Sequence, residues 1–143
     1  MAGVAHADAD HEQAAREADA RGRLLAAGAS SLPRAPWLHE AQPPSAVDLT
    51  RFAAWRASAG DVGGEDLLAA LTLLSAARAE VDQVEAALLF TARAHGLTWP
   101  RISRAIGLGS AQAAQQRFGR VTGRAGSGRG TLGAASRCTC GGR

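Results

Sequence analysis

At 143 residues the chain has room for one small domain with flanking segments. With six aromatic residues, no tyrosine and a 46% hydrophobic fraction that is largely alanine, any core it builds is thin. No run approaches the roughly 18 apolar residues of a membrane span, and Met1 to Asp8 has neither the basic start nor the apolar core of a secretory leader, so a cytoplasmic protein without membrane contact is expected. The net charge of +3 conceals two opposite halves: residues 1–85 hold 7 Arg against 13 Asp and Glu, net −6, and residues 86–143 hold 9 Arg and no carboxylate, net +9.

In chain order, residues 5–29 contain good helix formers but a single leucine pair, Leu24 and Leu25. A helix there is marginal unless it docks on something, so a fraying or disordered acidic segment is expected. His6 and His11 with Asp8 and Asp10 have the chemistry of metal ligands, but their spacing does not gather them on one helix face, and a solvated polar segment without metal is the expectation. From Ser30 to Val47, prolines at 33, 36, 43 and 44 interrupt regular structure and mark a linker, with Trp37 and Leu38 as anchors onto the body. Residues 1–47 therefore read as a flexible acidic segment followed by a proline-rich linker.

Asp48 is placed to cap a short helix from Leu49 to about Ser58, in which Leu49, Phe52 and Trp55 recur at helical spacing and are expected to pack. After Gly60, Gly63 and Gly64, a long helical stretch from about Glu65 to His95 carries a stripe of Leu67, Leu71, Leu74, Ala77, Val81, Val84, Leu88 and Thr91. The stripe suits either a coiled-coil seam, and with it a homodimer through the 65–95 helix, or two consecutive helices packed on one core.

The segment from Ala92 to Phe118 carries the functional reading. Gly96 suits the left-handed residue that ends a helix, with Leu97 making the accompanying apolar contact. Thr98 then caps a short helix that tolerates Pro100 in its first turn and buries Ile102, Ala105 and Ile106 before Gly107. After Gly107-Leu108-Gly109, Ser110 caps a further helix with Ala111, Ala114, Phe118 and Val121 on one face and Gln112, Gln115, Gln116 and Arg120 on others. Two short helices around a glycine turn, the second with an amide-rich face, describe a helix-turn-helix over 97–121. Glutamine can read adenine through two hydrogen bonds and small Ala111 permits close approach, which makes Ser110, Gln112, Gln115 and Gln116 the expected base-reading residues. Arg93, Thr98, Arg101, Arg104, Arg117, Arg120 and Arg124 are the expected phosphate contacts. With no carboxylate after Glu85, these arginines are expected to meet no internal competitor.

About residues 80–122 resemble the helix-turn-helix modules of small actinobacterial DNA-binding regulators. The likeness rests on Trp99, on Ile102, Ala105, Ile106, Gly107 and Leu108, and on Ser110, Gln112, Ala113, Ala114, Arg117 and Phe118. Those modules are in turn similar to the promoter-reading domain of sigma factors, although nothing in the chain suggests the other sigma domains. The resemblance implies a bacterial transcriptional regulator that binds double-stranded DNA. Two departures stand out: Gly109 lengthens the turn by one residue, and Arg101 replaces the acidic residue that often follows the tryptophan.

Phe90 and Trp99 among arginines also suit stacking on single strands, but without a strand pattern a core position beneath the helix pair is expected for Trp99. Signatures of catalysis are missing: no phosphate-cradling glycine loop, no His-Cys cluster, and no base beside Ser103 or Ser110, so neither enzyme activity nor a cofactor is expected. Residues 123–143 are rich in Gly, Ser, Ala and Arg and read as a disordered tail, with Cys138 and Cys140 too close and too few for a disulfide framework or zinc site. The expectation is an all-α protein, a small helical bundle with a helix-turn-helix in its 48–122 domain. The alternatives are a protein-interaction module using the acidic half and a sequence-independent nucleoid-type binder.

Overall fold

The computed structural model describes residues 2–39 and 42–127, with side chains from 7 to 123 of these. Among them there are six α-helices, one 3-10 turn and no strand, as an all-α composition requires. The helices are α1 (Ala2–Ala26), α2 (Ala46–Ser58), α3 (Gly64–Thr72), α4 (Leu74–Ala94), α5 (Trp99–Ala105) and α6 (Ala111–Ser127), with the 3-10 turn at Ala29–Ser31. The chain divides into two compact units, 1–84 and 85–143, and α4 contributes its first half to one and its second half to the other. No described helix is long and apolar enough to cross a membrane.

In the first unit the acidic segment expected to fray is α1. The correction has a physical reason: the segment docks. Ala20 and Leu24 are buried in one cluster with Leu49, Phe52, Ala69 and Leu73, and Arg23 Nε donates to Asp66 Oδ1 of α3 at 2.7 Å. Of the ten buried residues of this cluster six are alanine, so the helices hold through close approach rather than bulky side chains, and each large apolar side chain matters more than it would in a leucine-rich core.

The start of α2 also differs from expectation. Ser45, not Asp48, is the cap: its Oγ accepts the Asp48 N–H at 3.1 Å and donates to Asp48 Oδ2 at 2.9 Å. One hydroxyl thus caps the backbone N–H of the third helical residue and bonds that residue's own carboxylate. Glu80 of α4 completes the cap by accepting the backbone N–H of Ala46 at 2.9 Å and of Val47 at 3.1 Å. A carboxylate from a distant helix thus satisfies two of the orphan donors that every helix start presents.

The stretch 65–95 is two helices, broken at the buried Leu73. Its expected stripe is mostly not the buried face. Ala69, Leu73 and Ala77 point into the first unit and Leu89, flanked by Ala86 and Ala92, into the second, whereas Leu71, Val81, Val84 and Leu88 are 54–65% exposed. The stripe therefore does not pack on one core, the second of its two expected roles, because each half of α4 serves a different core.

Candidate nucleic-acid interface

In the second unit α4 and α5 stop where glycine lets them. At the end of α4 the Leu97 N–H donates to Ala92 O at 3.0 Å and the Gly96 N–H to Arg93 O at 3.0 Å. After α5 the Leu108 N–H donates to Ser103 O at 2.8 Å and the Gly107 N–H to Arg104 O at 3.3 Å. Both are the paired bonds of a Schellman motif, which needs a left-handed residue; Gly96 and Gly107 supply it at φ 76° and 71°. Leu97 and Leu108, the residues that follow, both pack on the cluster of Leu89, Ile102, Ala114 and Val121. Five residues, 106–110, therefore connect α5 to α6.

α5 begins after Thr98, whose hydroxyl makes no capping bond. Ile102 is buried, but Ala105 and Ile106, expected beside it, are exposed. Buried Ser103 is satisfied locally, its Oγ donating to Pro100 O at 3.1 Å. α6 divides as its sequence suggests: Ala114 and Val121 are buried, Ala111 and Phe118 partly so, and Gln112, Gln115, Gln116 and Arg120 are all exposed. It continues to Ser127 rather than ending near 121, since nothing between Phe118 and Ser127 is a proline and helical glycine weakens a helix without ending it. The start of the expected tail, 123–127, is thus helical. The rest of it, with Cys138 and Cys140, lies outside the described residues, as do the side chains of Arg124 and His6.

The expected site residues separate into committed and uncommitted groups. Ser110 is committed, its Oγ accepting the Ala113 N–H at 3.1 Å to cap α6. So is Arg117: both oxygens of Glu85 accept from its guanidinium, the Nη2 bond at 2.9 Å. This corrects the expectation of arginines without an internal competitor, because the last carboxylate of the sequence is the competitor. Arg93 lies over the Trp99 ring at 5.0 Å and donates to Leu97 O at 2.6 Å. Trp99 is itself half-buried and tilted against Phe118, with ring centroids 5.9 Å apart, as a core role requires; Phe90 is 67% exposed.

Arg101, Arg104 and Arg120 remain exposed and, among the described residues, without a carboxylate partner; Arg104 bonds only its own helix, Nε to Pro100 O at 3.3 Å. Among the described residues no cluster of His, Cys, Asp or Glu could hold a metal ion. One residue that shapes this unit, Glu85, gave no local signal of its role. The Glu85 contact spans 32 residues of sequence. Comparisons with protein-family models, curated proteins and solved structures returned no match.

Proposed function

We propose that the second unit binds double-stranded DNA through a helix-turn-helix formed by α5 and α6, and that the protein is a transcriptional regulator. The observation that carries this reading is the division of α6. Ala114 and Val121 hold it to the unit, while Gln112 and Gln116 occupy the opposite face with Gln115 and Arg120 to either side, all four exposed. Such a helix offers a row of bidentate amides to base edges with no carboxylate on its own surface to repel phosphate. Arg101 and Arg104 on α5, free of carboxylate partners among the described residues, supply the sequence-independent charge that positions a protein on the duplex. Self-association through the 65–95 segment belongs to the same proposal: the exposed Val81 and Val84 lie one turn apart on α4, and a two-fold dimer would present two DNA-binding units to a palindromic site.

The test is fluorescence anisotropy of the full chain on random and selected duplexes at several salt concentrations. Arg101→Ala and Arg104→Ala should weaken binding to every duplex alike and make the salt slope shallower by about 1 each. Gln115→Ala and Gln116→Ala should cost about 1–3 kcal/mol on the selected site and little on random DNA. Equal losses on all sequences from the glutamine changes would instead favour a nucleoid-type binder. Absence of duplex binding at low salt would overturn the reading and favour a protein-interaction module.

A further inference from the structure

A groove of about 640 Å3 lies wholly in the first unit, between the end of α1, the proline loop and one face of α2. Its volume falls in the range of about 300–1,000 Å3 typical of small-molecule sites. The apolar wall comes from Leu25, Leu32, Leu38, Phe52 and Trp55, and three prolines stiffen its rim. Trp55 was expected to pack in the core. It is instead 67% exposed, its ring 6.3 Å from that of Phe52 and tilted by 42°, so that two aromatic surfaces line the groove with nothing of this unit covering the outer one.

Three charged residues also line it, Arg34, Asp48 and Arg51. Two of them are occupied. The Arg34 guanidinium donates to His39 O and closes its own loop, and the Asp48 carboxylate accepts from the Ser45 hydroxyl that caps α2. Arg51, one turn along α2 from Asp48 and next to Phe52, is exposed and has no bonding partner among the described residues. A guanidinium presents two parallel donors that match the two oxygens of a carboxylate. An apolar ligand without charge would leave it unengaged.

We propose that this groove binds a small amphipathic carboxylic acid, with the apolar body against Phe52 and Trp55 and the carboxylate on Arg51. The site is independent of the DNA-binding proposal, since every lining residue belongs to the first unit. The test is a titration of the full chain, followed by amide and indole N–H chemical shifts in nuclear magnetic resonance, with octanoate, octan-1-ol and octyltrimethylammonium as probes. Octanoate should shift the Trp55 indole and the Leu38 and Phe52 amides saturably, leave the Trp99 indole in place, and bind about fivefold or more tightly than the other two. Arg51→Gln should reduce octanoate to the affinity of octan-1-ol without altering the latter. Equal binding of all three probes, an octanoate affinity indifferent to Arg51→Gln, or no saturable shift of Trp55 by ~5 mM octanoate would overturn the proposal.

Discussion

Glu85 is the residue on which the electrostatics of the second unit turn. Its side chain is 18% exposed and its two oxygens face Arg117, itself about half exposed. If α6 binds DNA, each phosphate that approaches Arg117 competes with this carboxylate. Glu85→Gln should therefore raise affinity for duplexes of any sequence and steepen the fall of log K with log salt by about 0.9, the increment of one added phosphate contact. The same change should lower stability by only about 1 kcal/mol, because the pair is partly solvated. Anisotropy titrations at four salt concentrations and a thermal melt measure both. A slope that stays at the wild-type value would mean that releasing Arg117 from Glu85 adds no phosphate contact.

At the scale of single helices, two contacts carry more than their size. Glu80 accepts two N–H groups at the start of α2 and one from Arg21 at 3.5 Å. Removing it by Glu80→Ala leaves those donors without their acceptor in a partly buried place, and the expected cost is about 2–3 kcal/mol. A circular-dichroism melt should register it as a clear drop in midpoint, whereas Glu12→Ala, in an exposed pair with Arg16, should do almost nothing. In the second unit Trp99 touches Phe118 and carries Arg93 on its face. Trp99→Ala should open a cavity beneath the helix pair and cost about 3 kcal/mol. A mutant of unchanged helicity and midpoint that had lost only single-strand binding would make Trp99 a stacking platform instead.

For the whole molecule the surface that bears on association is on α4. Val81 and Val84 are 54% and 59% exposed one turn apart on α4, where water contact gains nothing for apolar side chains. If this face is a dimer seam, Val81→Glu with Val84→Glu should convert a dimer to a monomer in sedimentation equilibrium while leaving circular dichroism unchanged. DNA affinity should then fall most on palindromic duplexes. A wild-type chain that sediments as a monomer at ~100 μM would exclude the seam at physiological affinity.

The helical class, the stops at Gly96 and Gly107, the Ser110 cap and the two-faced character of α6 were all legible in the sequence. Each is set by a residue's own backbone freedom or by hydrogen bonds within about five positions, so local chemistry is enough. The ordering of α1 was not legible, because its lone leucine pair is insufficient until α2 and α3 supply the other side of the cluster around Leu24. Nor was the inner face of α4, since its leucines and valines form a regular stripe whichever way the helix is turned, and only the positions of Leu73 and Leu89 in separate cores choose between faces. The commitments of Arg117 to Glu85 and of the α2 amides to Glu80 link residues 32 to 34 apart. Charge counting along a chain cannot anticipate such pairs: which carboxylate meets which donor is decided by packing, after the helices have formed.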